Sequence, residues 1–366
     1  MIKNFLLLFS NFLKRIIIIN FFFFIILFLL LDFLFSNTIF NANKNSCYQI
    51  EKFFYSLKKN CSGFDKFKSS FPTVKVLTDN EGLRIGKNTK RINQEKVFIF
   101  GDSFTFGVGL EYEQTFSGIL ENKFRENSFY NFAVGSYSPT VHLFNLEKQI
   151  KSGNFPKKII LLLDMTDVHD EAARWRIDGD KPKLLNSQHY DKFYKKKNFF
   201  HENFITSRRF IHFINYQVRI LRSQITPKNE DYLKTSLQAG FTYRELIELG
   251  DHYKNDIFNL GLDRIKEKIY QISDISKKID SEFYLVIYPY AETLVYGQQK
   301  FNWENFGDEI CIDNKCKLIN AFNIFREYKN NNIKWYGDLF FIGDEHFNAG
   351  GNKLLAEEIS NKIFIK

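Results

Sequence analysis

The sequence predicts an α/β fold: a doubly wound parallel sheet in three α/β/α layers, preceded by an N-terminal transmembrane helix and carrying a helical insertion. Three observations predict it. Short apolar runs alternate with amphipathic stretches from residue 96 to the C-terminus. One of the runs, "KKIILLLDM", is continuously apolar, as a strand covered on both faces must be. The first 36 residues hold an apolar segment long enough to cross a bilayer.

In chain order, "IIIINFFFFIILFLLLDFLF", Ile16 to Phe35, has only Asn20 and Asp32 as polar members. As a helix it spans roughly 30 Å, the thickness of a hydrocarbon core. Lys3, Lys14 and Arg15 precede it, and Lys44 alone follows closely. The positive-inside bias keeps the N-terminus cytoplasmic and places the rest on the exported, periplasmic or extracytoplasmic side. No A-x-A site follows the run, which favours an uncleaved anchor (1–36) over a cleaved signal peptide. Residues 37–95 are polar and mixed and read as an extended stalk and an entry segment that packs on the domain.

The folded domain, 96–366, opens with "KVFIF" as a buried strand. "EYEQTFSGILENKF" has helical spacing, with Phe116, Ile119, Leu120 and Phe124 on one face. "SFYNFAV" reads as a second strand, "SPTVHLFNLEKQIK" as a second helix and "KKIILLLDM" as the third strand. A charged, aromatic insertion follows, from about Glu171 to Asn259, in which "NFITSRRFIHFINYQVRILRSQI" reads as a helix. It is either a lid that only packs or a wall of a substrate pocket. "GLDRIKEKIYQISDISKKI" is an amphipathic helix, "SEFYLVIYPY" the fourth strand and "GNKLLAEEISNKI" the closing helix.

A composition of 44% hydrophobic and 25% charged residues suffices for a globular core. The 43 phenylalanines and the abundant Ile, Lys and Asn mark a bias of the whole chain, so the net charge of +9 carries little weight. A basic surface would attract acidic polysaccharide or anionic lipid, and a lysine-rich background accounts for the same number. No nucleic-acid partner is expected. The four cysteines form two close pairs in sequence, Cys47 with Cys61 and Cys311 with Cys316. An oxidising compartment would join each pair in a local disulfide. Zinc on four thiolates is the alternative, but the spacings are not paired C-x2-C knuckles and no histidine adjoins them.

The first strand ends abruptly in Gly101-Asp102-Ser103. In a doubly wound sheet ligands bind beyond the carboxyl ends of the strands, where Ser103 sits. Gly101 permits a tight turn, and Gly107 and Gly109 keep the surroundings thin. A serine at a helix N-terminus feels the positive end of the dipole, which favours a developing alkoxide; the same serine serves equally as an N-cap. A nucleophilic serine needs a base, and the base an orienter. Near the C-terminus, in "FIGDEHFNAGGNKLLAEEI", Asp344 and His346 stand two apart ahead of the last helix. The carboxylate at that offset can reach Nδ1–H of the imidazole and leave Nε2 free. Alternatively Asp344 or Asn348 only caps the helix.

Together these pieces resemble the SGNH (GDSL-type) hydrolase superfamily over roughly Asp79 to Lys366. "FIFGDSFTFGVGL" is similar to the family's first block, with Ser103 as the implied nucleophile. "DEHFNAGGNKLLAEEI" is similar to its last block, with Asp344 and His346 completing a triad. "TDNEGLR" resembles a lead-in of exported members. The resemblance implies a flavodoxin-like sheet, no cofactor, and an oxyanion held by a backbone N–H after the second strand and an Asn side chain after the third. "NFAVGSYSPT" supplies the first from Gly135 or Ser136. The family's Gly-x-Asn-Asp is replaced by Asp164-Met165-Thr166-Asp167, which puts Thr166 where the Asn stands. A threonine hydroxyl can donate one hydrogen bond. Either Thr166 substitutes, another group does, or the protein is slow or inactive, since an oxyanion donor is worth about 100- to 1,000-fold in rate.

The implied function is a membrane-anchored, exported serine esterase or O-acyltransferase, acting on O-acetyl or other acyl esters of cell-envelope or secreted carbohydrate. The rivals are an inactive relative that binds glycan or a partner protein, and a lipid esterase working at the membrane. "DMTDVHDE" also invites a metal reading through Asp164, Asp167, His169, Asp170 and Glu171; as a loop it caps the next helix or lines a polar pocket.

Overall fold

The structure is a computed structural model that describes residues 2–38, 46–51, 54–67, 71–91, 95–179, 181–184, 204, 206–207, 255–298 and 301–365. They belong to two compact units, Met1–Lys44 with His189–Asn229, and Asn45–Gln188 with Glu230–Lys366. In the first unit, the helix Ile2–Thr38 contains the apolar segment Lys14–Ser36, 23 residues of mean hydropathy 2.9. At 1.5 Å per residue that is about 35 Å, enough to cross a bilayer. Its one carboxylate, Asp32, is buried within the unit and accepts hydrogen bonds from the N–H groups of Thr206 and Ser207 and from the Ser36 hydroxyl.

The strands of the second unit are β1 (Tyr48–Glu51), β2 (Phe54–Leu57), β3 (Ser62–Asp65), β4 (Val74–Thr78), β5 (Arg84–Ile85), β6 (Glu95–Phe100), β7 (Asn127–Asn131), β8 (Lys158–Leu163), β9 (Trp175–Asp178), β10 (Lys181–Leu184), β11 (Glu282–Ile287) and β12 (Lys317–Asn320). β1–β2 and β9–β10 are antiparallel hairpins. The other eight form one sheet in the order β12-β11-β8-β6-β7-β5-β4-β3. From β12 to β7 every pairing is parallel, and the order is that of a flavodoxin-like sheet started near its middle and wound both ways. β5, β4 and β3 extend it antiparallel beyond β7.

The apolar runs explain the layering. β8 and β11 bury every side chain after their first residue, because helices cover both faces. Each fully buried Leu, Ile, Val or Phe contributes about 1.5–3 kcal/mol. The covering helices pack as two pairs: Pro139–Lys151 with Asn255–Lys278, and Phe116–Lys123 with Ala349–Ile363.

The four strands expected from the apolar runs are β6, β7, β8 and β11. The expected helix over "EYEQTFSGILENKF" starts as a single 3-10 turn, Tyr112–Gln114, and becomes α-helical at Phe116. Thr115 sets that boundary, its hydroxyl accepting from the Gly118 N–H. Within the stretch read as a stalk and entry segment, β1–β2 form a hairpin and β3–β5 join the main sheet, and the alternating burial of β4 shows a strand with one face on the core. β12 and the helices Trp303–Asn314 and Phe322–Asn331 had no counterpart in the sequence reading. The insertion opens with a π-helical turn, Asp170–Arg174, and the β9–β10 hairpin; the helix expected over 203–225 falls almost wholly outside the described residues. Cys47–Cys61 and Cys311–Cys316 are both disulfides, which engages all four thiols and corrects the zinc alternative.

Candidate active site

β6 runs into the core and stops at Gly101, whose φ of +157° and crowding by Thr105 exclude a side chain: an added Cβ would lie 2.0 Å from Thr105 Oγ1. Asp102 caps the short helix Ser103–Phe106 by accepting from the Phe104 N–H at 2.9 Å. The helix ends at Gly107, left-handed at φ +78°. Ser103 therefore stands at the helix start but is not its cap; Asp102 is. A buried Arg84 holds the segment that follows, donating to the carbonyls of Phe106, Gly107 and Leu110 with its guanidinium 4.4 Å over the Phe106 ring.

The loop ahead of the last helix is pinned from both ends. Asn348 caps the helix Ala349–Ile363 through the N–H groups of Gly350 and Gly351, and its amide donates to the carbonyls of Gly337 and Phe340. Asn348, and not Asp344, is thus the cap of that helix. Its Oδ1 accepts from the backbone N–H of His346 at 3.1 Å and lies 2.5 Å from His346 Nδ1. The other ring nitrogen, Nε2, lies 2.8 Å from Ser103 Oγ. Ser103, His346 and Asp344 are 9%, 3% and 7% exposed, so the chain of hydrogen bonds is nearly out of water. The imidazole is packed among rings: Phe104 stacks on it at 4.6 Å, and Phe67 meets it edge-on at 4.9 Å. Such an arrangement can deprotonate a serine hydroxyl and hold the resulting imidazolium.

Gly135 lies beside the serine, since a Cβ built on it would sit 3.8 Å from Ser103 Cβ. Ser136 follows in the left-handed region, φ +60°. Among the described residues no acceptor takes the backbone N–H of Ser103, Gly135 or Ser136. Thr166 behaves differently: its hydroxyl and its N–H both donate to Asp164 Oδ1, at 2.5 and 2.6 Å. The single hydroxyl proton is thus directed at Asp164 and not at an incoming oxyanion.

Asp164 is the hub of a buried polar network that sequence reasoning missed. It also accepts from the phenols of Tyr288 and Tyr290, both at 2.6 Å. The signal was present: the two tyrosines alternate in "YPY" just past β11, a spacing that sends side chains to one side. Burial and then the charge of Asp164 push both phenols well above their ordinary range, so they stay neutral donors. Burial, followed by the same charge, raises the Asp102 and Asp167 carboxyls well above the usual carboxylate range. The acids of "DMTDVHDE" do not converge on a metal position. Asp170 meets His169 and Arg174, while Glu171 accepts from Ser138 and Thr140 at the start of the preceding helix, Pro139–Lys151.

No family model matches the chain, and no curated protein matches it. Several solved structures do, at low identity. An acetyl xylan esterase aligns with TM-score 0.41 and 13% identity over 74% of this chain and 100% of its own. A catalytic mutant of an acetylxylan esterase from Geobacillus stearothermophilus aligns with TM-score 0.43 and 12% identity over 76% of this chain and 98% of its own. A G-D-S-L family lipolytic protein from Desulfitobacterium hafniense aligns with TM-score 0.39 and 12% identity over 73% and 99%.

Proposed function

We propose that this chain is a serine esterase or O-acyltransferase of the SGNH type. Its N-terminal helix anchors it in a membrane with the catalytic domain on the exported side, where it acts on O-acetyl or other acyl esters of carbohydrate. The observation that carries this is the hydrogen-bonded series Ser103–His346–Asp344, joined across 243 residues of sequence. Ser103 Oγ attacks the acyl carbon while His346 Nε2 takes its proton. Asp344 fixes the tautomer that carries a proton on Nδ1 and stabilises the imidazolium. The oxyanion lies against the N–H of Gly135 or Ser136, with the N–H of Ser103 nearby. His346 then returns the proton to the leaving alcohol, giving an acyl-enzyme. Water completes hydrolysis, or a sugar hydroxyl completes transfer, with His346 again as base.

One observation favours a second reading, a catalytically weak relative that binds glycan: the Thr166 hydroxyl is engaged by Asp164. One experiment separates the two. The full chain in detergent is treated with a fluorophosphonate and the adduct located by mass spectrometry. Labelling at Ser103, lost in Ser103→Ala, is expected, followed by acetate release or transfer with acetylated xylo-oligosaccharides. A native chain that takes no label is a binding protein.

A further inference from the structure

The turn Gly135–Ser136 is held from outside by side chains that no motif predicts. The phenol of Tyr55, on β2, donates to the Gly135 carbonyl at 2.7 Å. Trp175 Nε1–H donates to the Ser136 carbonyl at 2.7 Å. The rings of Tyr55 and Trp175 pack on each other with centroids 5.5 Å apart. Ser136 itself sits at φ +60°, a conformation that non-glycine residues avoid and that persists only where the surroundings over-determine it.

In a planar trans peptide the C=O and the next N–H point in opposite directions. A donor that fixes the Gly135 carbonyl therefore also aims the Ser136 N–H, and polarises it toward any acceptor on the far side. Tyr55 lies 80 residues before the carbonyl it holds. It belongs to the β1–β2 hairpin, whose flanks are tied by the Cys47–Cys61 disulfide and by the Lys58 N–H to the Cys47 carbonyl.

We infer that Tyr55 is a positioning residue for catalysis: its hydroxyl sets the orientation of the Gly135–Ser136 peptide as an oxyanion donor, so the disulfide-closed N-terminal hairpin is part of the active centre. The inference rests on the proposed serine-hydrolase reading. The rate change it predicts belongs to the steps in which negative charge develops on the acyl oxygen, and substrate binding is left alone.

Tyr55→Phe removes only the hydroxyl and keeps the ring packing. Tyr137→Phe is the matched control: its phenol donates to the Tyr55 carbonyl in the same aromatic cluster, while the turn carbonyls take the Tyr55 hydroxyl and Trp175 Nε1–H. The full chain and both variants are compared in detergent. The readouts are the second-order rate of fluorophosphonate labelling at Ser103, kcat and KM on p-nitrophenyl acetate, and thermal melting. Tyr55→Phe is expected to label at least tenfold more slowly and to lose at least tenfold in kcat with KM within twofold. Tyr137→Phe is expected to melt similarly to Tyr55→Phe and to keep the parental rates. As a variant that leaves the fold untouched, 3,5-difluorotyrosine at position 55 carries a more acidic phenol. Its rate is expected to fall as pH rises and the donor is lost, unlike the parent. Equal labelling of the parent and Tyr55→Phe, or a difluorotyrosine profile that follows the parent, overturns the inference and leaves the serine reading standing. A parent that takes no label at Ser103 overturns both.

Discussion

At the scale of single residues, the decisive contact is the 2.5 Å separation of Asp344 Oδ1 and His346 Nδ1. A carboxylate there can only accept a hydrogen bond, so it holds the imidazole with Nδ1 protonated and Nε2 free toward Ser103. Asp344→Asn keeps the size but offers an amide that can turn its N–H₂ to the ring, which stabilises the opposite tautomer. The expected result is a fall in kcat of roughly 10,000-fold with KM little changed, read from steady-state kinetics on an activated acetyl ester. The same scale explains the cost of the Asp164 network. Four donors satisfy Asp164, whereas Asp167 Oδ1 finds none among the described residues. Asp102 and Asp167 are accordingly driven toward their neutral forms.

At the scale of elements, the helix Pro139–Lys151 carries a buried base, His142. His142 is fully buried near the Phe100 ring, and both its ring nitrogens lack a partner among the described residues. Burial lowers its pKa from 6.5 to about 3. The unfolded chain takes up this proton near pH 6.5 and the folded chain only near pH 3. Between those values the unfolded state binds more protons, so stability falls as pH drops, by about 1.4 kcal/mol per unit from this group. His142→Leu removes the titration and the unpaired nitrogens together. Its melting temperature is expected to exceed the parent's and to change less between pH 7 and pH 4, measured by circular dichroism. The elements also show what was legible. Strands β6, β8 and β11 announced themselves because burial on both faces demands unbroken apolar runs, and Ser103, Asp344 and His346 stood in short motifs at element ends. β12 was not visible, as only one of its four residues is buried. β3–β5 were obscured because one-sided strands in a lysine-rich stretch look polar. Tyr55 and Arg84 gave no signal at all: each acts on backbone carbonyls, which every residue carries, so no partner type in the sequence points to them.

At the scale of the whole molecule, two independent features bear on the side of a membrane on which the proposed esterase would work. The first is the charge placement around the apolar segment, with Lys3, Lys14 and Arg15 before it and Lys44 alone close behind. The second is the cysteine chemistry. All four thiols are joined in two short-range disulfides of the second unit, Cys47–Cys61 and Cys311–Cys316. Such bonds persist in oxidising compartments and are reduced in the cytosol. The buried Asp32 does not oppose a spanning helix, because three hydrogen bonds satisfy its carboxylate. The two features predict one orientation and can be tested together. Alkaline phosphatase fused after Lys366 is active only where its own disulfides form, and a fluorescent protein folded through the general secretion route stays dark there. The expected outcome is an active phosphatase and a dark fluorescent fusion, with the full-length protein retained in the membrane pellet after carbonate extraction. Moving the positive charges, by Lys3→Gln, Lys14→Gln and Arg15→Gln with three lysines inserted after Ser36, is expected to reverse part of the population and raise the fluorescent signal. A dead phosphatase on the unaltered chain would place the Ser103 site in the cytoplasm, where the disulfide-tied hairpin bearing Tyr55 would have to hold its shape without Cys47–Cys61.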